Sequence, residues 1–96
     1  MTTAPIGPYI LICDDEAPIR SVVKLRLEAA GYRIAEARTG TEGFTIATES
    51  PPVLIITDYR MPLMSGVEMA RQLREHGATA SVPVLLVTAR GYVLDP

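Results

Sequence analysis

The sequence predicts a single α/β domain built on a doubly wound parallel sheet. Three observations predict it: apolar runs of strand length recur along the chain, helix-spaced apolar positions fill the intervals, and the two kinds of segment alternate throughout. Alternation of this kind means parallel strands, right-handed crossovers and helices on both faces of the sheet. A chain of 96 residues has room for one core and no second.

Residues 1–8, small and threonine- and proline-bearing, read as a flexible lead-in to a domain over 9–96. Tyr9–Cys13 is continuously apolar, as expected of a strand covered on both faces, and it ends in three acids, Asp14, Asp15 and Glu16. Pro18 suits the first turn of a helix, and Ile19, Val22, Val23, Leu27 and Ala30 recur at helical spacing until Gly31 stops it. Tyr32–Arg38 alternates polar and apolar residues, the pattern of an edge strand with one wetter face. Thr39-Gly-Thr-Glu42 has capping-box spacing, with Thr39 or Thr41 as the cap. The helix that follows carries Phe44, Ile46 and Ala47 and closes at Ser50-Pro51-Pro52. Val53–Thr57 reads as a second fully buried strand and ends at Asp58. A loop leads to a second capping box, Ser65-Gly-Val-Glu68, and a helix with Val67, Ala70 and Leu73, ended by His76-Gly77. Val82–Val87 is the last predicted strand and ends at Thr88.

Composition narrows the function classes. Nine basic residues against eleven acidic ones give a net charge of −2, without the basic footprint of a dedicated nucleic-acid binder. The single cysteine, Cys13, excludes an internal disulfide. The apolar runs are too short to span a bilayer, and no signal peptide is legible, so the expectation is a reduced, cytoplasmic domain that binds neither nucleic acid nor membrane.

In a doubly wound sheet the ligand site lies beyond the carboxyl ends of the strands. Asp14 and Asp15 follow the first strand, Asp58 the third and Thr88 the fourth. If the first and third strands are neighbours, the three aspartates converge, and such a cluster does not stay fully ionised without a cation. An all-oxygen site suits Mg²⁺ or Mn²⁺ better than Zn²⁺. Taken singly, Asp14 or Asp15 could equally be a helix N-cap. Asp58 is harder to read that way, because no helix begins directly after it.

Three segments resemble the receiver domain of two-component response regulators: Ile10-Leu-Ile-Cys-Asp-Asp-Glu16, Asp58-Tyr-Arg-Met-Pro-Leu-Met-Ser-Gly66 and Val84-Leu-Leu-Val-Thr-Ala-Arg90. The resemblance implies the flavodoxin-like receiver fold with strand order 2-1-3-4. It further implies that Asp58 accepts a phosphoryl group from a histidine kinase or phosphotransfer protein, and that Asp14, Asp15, Asp58 and the backbone carbonyl of Arg60 hold Mg²⁺. By the same resemblance Thr88 binds the phosphoryl group and switches conformation, and Ala89 keeps the phosphoryl pocket open. Such a domain is a phosphorylated signalling module that assists its own phosphoryl transfer, not a turnover enzyme.

The chain departs from the family after the fourth strand, where the usual fifth strand, its lysine and the last helices are missing. The only lysine is Lys24, in the first helix. The resulting expectation is a receiver domain truncated at its C-terminus, with an exposed apolar fourth-strand edge; were 96 residues the natural length, two copies would pair through that edge. Two rival readings fit the residues less well. A haloacid-dehalogenase-like phosphatase needs an acid two residues after the nucleophile, where this chain has Arg60. A receiver-like interaction adapter that is not phosphorylated explains the missing lysine but has no need of the acidic cluster.

Overall fold

The computed structural model describes residues 5, 7–61, 64–88 and 91–95. The elements follow the order β1 (Ile10–Cys13), α1 (Ala17–Ala29), β2 (Ile34–Ala37), α2 (Gly40–Glu49), β3 (Leu54–Asp58), α3 (Gly66–Glu75), a 3-10 turn (Gly77–Thr79), β4 (Val84–Thr88) and β5 (Gly91–Asp95). The strands lie in the order β2-β1-β3-β4-β5. Pairing is parallel from β2 to β4, so the predicted order 2-1-3-4 is what the chain adopts.

Local chemistry sets the helix starts. Thr39, not Thr41, caps α2: its hydroxyl accepts from the Glu42 N–H at 3.0 Å, and Glu42 Oε1 accepts from the Arg38 N–H at 2.7 Å. Ser65 caps α3 in the same manner, accepting from the Glu68 N–H at 3.1 Å. At α1 the cap position is Glu16, whose side chain makes no capping bond. Gly31, at φ 98°, takes the left-handed conformation that ends α1 at low cost.

Register assigns the two faces of the sheet. Leu11, Cys13, Ala35, Ala37, Ile55, Val84 and Leu86 share one face and form a single buried cluster with Ile46 and Ala47 of α2 and Met69, Ala70 and Leu73 of α3. The close approach of α2 to β1 depends on Gly43, where a Cβ would sit 2.6 Å from Cys13 Sγ and 2.9 Å from Met69 Sδ. On the other face α1 packs against β1 and β2, over Ile10 and Ile12. There Leu54, Ile56, Leu85 and Val87 are half-buried, and α1 has no fully buried residue.

One expectation is corrected. The outer edge of β4 is not open: β5 pairs with it antiparallel, from Val84 opposite Asp95 to Thr88 opposite Gly91. An edge strand carries a row of unpaired N–H and C=O groups, and the β-prone run Tyr92-Val-Leu94 directly after it is the nearest segment able to pair with them. Self-association through that fourth-strand edge therefore loses its structural basis. Among the described residues no helix is long and apolar enough to cross a membrane.

Candidate metal centre

Strand order decides which strand ends meet. β1 and β3 are neighbours, with Cys13 opposite Thr57, so the residues just past each of them share one edge of the sheet. One carboxylate oxygen from each of Asp14, Asp15 and Asp58 lies within 4.8 Å of the other two. Ligands on opposite sides of a Mg²⁺ ion lie about 4.2 Å apart and adjacent ones closer, so the three oxygens are near enough for one small cation to draw them together.

Asp14 is the most constrained of the three. It is 7% exposed, its N–H donates to the Ala37 carbonyl at 3.0 Å, and its Oδ1 accepts from the Glu16 N–H at 2.8 Å. That last bond closes a turn ahead of α1 instead of capping the helix, and it leaves the second carboxylate oxygen for another partner. Asp58 ends β3, half-buried, opposite Val87 of β4. The chain then turns through Tyr59, whose N–H donates to Val87 at 2.9 Å and whose carbonyl accepts from the Gly66 N–H at 3.0 Å. Gly66 lies against the Asp58 carbonyl where a Cβ would collide, so a side chain there would displace the end of β3.

The electrostatics agree with a cation site. Burial foremost raises the Asp14 carboxyl above its ordinary pKa, and the charges of Asp58 and Asp15 raise it further, against lowering by the Glu16 N–H and Arg20. Burial is also the chief cause that raises Asp58, reinforced by Asp15 and Glu16 and opposed by the Arg60 and Tyr59 N–H groups. Each group resists full ionisation because negative charge is concentrated where water is partly excluded. The donor set contains oxygen only. Cys13 points to the opposite face, with its thiol pushed up to about 12 by burial, and His76 ends α3 with its ring edge-on to Phe44. These donors suit magnesium or manganese better than zinc, which favours His and Cys.

Of the other expected site residues, Arg60 is exposed two positions after Asp58, and Thr88 ends β4 one position beyond the partner of Asp58. Ala89 lies outside the described residues, as do Pro62 and Arg90. Lys24 is committed elsewhere: its Nζ pairs with Glu36 Oε2 at 3.1 Å, on the α1–β2 side. Sequence reasoning missed Arg20, whose Nη1 donates to the Asp14 carbonyl at 2.6 Å and whose Nε pairs with Glu36 at 3.0 Å. The available signal was a basic residue one helical turn after the acidic run.

Comparison with known proteins agrees with this geometry. Residues 10–95 match the family model for the response regulator receiver domain. The chain is 40% identical over 86 residues to the phosphate regulon transcriptional regulatory protein PhoB of Pseudomonas aeruginosa, covering 90% of this chain and 38% of that protein. It thus spans well under half the length of such curated relatives. Among solved structures it is similar to the chemotaxis response regulator CheY4 of Vibrio cholerae, with a TM-score of 0.80, 31% identity, and coverage of 83% of this chain and 67% of that one. It is also similar to the receiver domain of a Pseudomonas aeruginosa sensor histidine kinase, solved with a magnesium ion coordinated in its active-site cleft; the TM-score is 0.82 at 26% identity, covering 86% of this chain and 68% of that one. With its strand order, its convergent aspartates and the match over 10–95 all in agreement, this chain belongs to the response regulator receiver family.

Proposed function

We propose that the domain is a phosphoacceptor in two-component signalling, with Asp58 taking a phosphoryl group from a phosphohistidine of a kinase or phosphotransfer protein. The observation that carries this reading is the meeting of three carboxylates from β1 and β3 within 4.8 Å. A carboxylate oxygen of Asp58 attacks phosphorus in line with the histidine nitrogen. The O–P bond forms, the N–P bond breaks, and its electron pair returns to the imidazole, leaving an acyl phosphate on Asp58. Asp14, Asp15, Asp58 and the Arg60 carbonyl would hold Mg²⁺, which supplies the positive charge that the transferring oxygens require.

The residues of the chain supply the rest. The Tyr59 and Arg60 N–H groups favour the ionised, nucleophilic form of Asp58, against burial. Gly66 lets α3 begin hard against the Asp58 carbonyl, where a Cβ would collide. The Thr88 hydroxyl donates to a phosphoryl oxygen, and the movement that brings it there is the switch. Lys24, the one lysine of the sequence, is bound to Glu36, so in this reading metal and hydroxyl carry that charge between them. An unphosphorylated adapter is disfavoured, because clustered carboxylates forced above their ordinary pKa cost stability that pure docking does not repay.

Intact mass after incubation with Mg²⁺ and acetyl phosphate or phosphoramidate tests the proposal. The expected result is a gain of one phosphoryl mass, lost in Asp58→Asn and in EDTA. A folded, Mg²⁺-binding protein that gains no mass would overturn it in favour of the adapter.

A further inference from the structure

We propose that Arg20 is a positioning residue for the metal site, acting through the peptide that joins Asp14 to Asp15. This rests on the metal site proposed above and deepens it. The Arg20 guanidinium reaches two acceptors on two strands: the Asp14 carbonyl at 2.6 Å, at the end of β1, and Glu36 Oε1 at 3.0 Å, on β2. The side chain is 12% exposed, so little water competes for its donors. The Asp14 peptide is then held from both sides, its N–H by Ala37 at 3.0 Å and its C=O by Arg20.

The consequence for Asp15 follows from covalent geometry. The carbonyl of Asp14 and the nitrogen of Asp15 belong to one planar unit. Fixing the carbonyl therefore fixes the plane from which the Asp15 side chain departs, although Arg20 touches neither carboxylate by hydrogen bond. Asp14 Oδ1 is set separately by the Glu16 N–H at 2.8 Å, and Glu16 belongs to the same turn, its carbonyl accepting from the Arg20 N–H at 3.1 Å. One guanidinium thus ties the turn carrying both expected metal ligands to α1 and β2. A planar fork serves two acceptors in different directions, which a lysine ammonium at this position does less well.

Lys24 provides the internal control. It binds the other oxygen of Glu36 at 3.1 Å, one turn further along α1. Removing either cation weakens the anchoring of α1, but only Arg20 holds the metal turn.

The test is Mg²⁺ binding by isothermal titration calorimetry, alongside melting temperatures in EDTA. Arg20→Met is expected to raise the Mg²⁺ dissociation constant about tenfold, the lower end for loss of a partner that orients metal ligands. Lys24→Met should lower the melting temperature yet stay within about twofold of wild type in Mg²⁺ affinity. Arg20→Lys, which keeps the charge and one contact, should lie between wild type and Arg20→Met. Wild-type affinity in Arg20→Met, or equal weakening in Lys24→Met, overturns the proposal. If Arg20→Met does not fold, Arg20→Lys decides, and wild-type affinity there overturns it. A wild-type protein that fails to bind Mg²⁺ brings down the metal site itself and this inference with it, whereas normal wild-type binding with unaffected variants brings down only the role of Arg20.

Discussion

The two faces of the sheet carry similar apolar strand residues and bury them to different depths. On the α2–α3 side, Leu11 and Ile55 of the sheet and Met69 and Leu73 of α3 are fully buried. On the α1 side, Ile10 and Ile12 are buried beneath the helix, Leu54, Ile56, Leu85 and Val87 are only half-buried, and Val22 and Leu25 of α1 stand 55% and 68% exposed. The alternation of side chains along each strand makes both faces apolar, but the number of helices over a face sets how much of that surface leaves water. Asp58 alternates onto the thinly covered face, in register with Val87. Stability is therefore concentrated on one side of the sheet, and the candidate chemistry sits at the edge of the other.

The largest expected effect tests that inequality directly. Leu73→Ala on the α2–α3 side should cost about 2–5 kcal/mol in chemical denaturation, as truncations of fully buried leucines do. Val22→Ala on α1 should stay within about 0.5 kcal/mol, because the side chain is largely in water already. Equal losses at the two positions would erase the distinction.

Next in size is the response of the open face to cation and pH. The folded-state pKa values of Asp14 and Asp58 are raised, chiefly by burial and then by neighbouring acids, so between the ordinary carboxylate value and the raised ones the folded protein binds more protons than the unfolded chain. Their contribution to stability is accordingly full at low pH and is lost as pH rises through the raised values. Melting in EDTA should show that decline at mildly acid pH. Excess Mg²⁺ should offset it at neutral pH, by about 2.7 kcal/mol at a hundred times the dissociation constant. A melting temperature at neutral pH that ignores Mg²⁺ would contradict the site.

A smaller effect sharpens the account of the well-packed face. Gly43→Ala places a methyl group against Cys13 Sγ and Met69 Sδ and should cost about 1–3 kcal/mol by overpacking. Combining it with Cys13→Ala, which removes the nearer sulfur, should recover part of that loss. Strict additivity of the two substitutions would mean that α2 shifts away instead.

Legibility from sequence differed between element types for a physical reason. Helix caps were readable because donor and acceptor lie three residues apart: Thr39 with Glu42, and Ser65 with Glu68. β1 was readable because Tyr9–Cys13 is apolar without interruption and buried throughout, whereas Val53–Thr57, read as equally buried, alternates: Leu54 and Ile56 are half-buried, and Val53 is exposed and lies outside β3. β5 was not anticipated, because a five-residue segment beside an open edge is decided by the edge, and the family pattern argued for a loop there. The three aspartates were found through their places at strand ends. Arg20 and Glu36 were missed because residues 16 positions apart become partners only once α1 lies across β2.

Local spacing along the chain was enough to place the first four strands and the three helices, where α2 and α3 begin, and that acids follow the first and third strands. Those properties depend on periodicity and on bonds between residues a few positions apart. Only the tertiary structure decided that β1 lies beside β3, so that Asp14, Asp15 and Asp58 crowd into one cation-sized cluster. It alone decided that β5 closes the β4 edge and that Arg20 bridges the Asp14 carbonyl to Glu36. Each of these depends on which strands become neighbours, a choice made by the packing of the whole sheet.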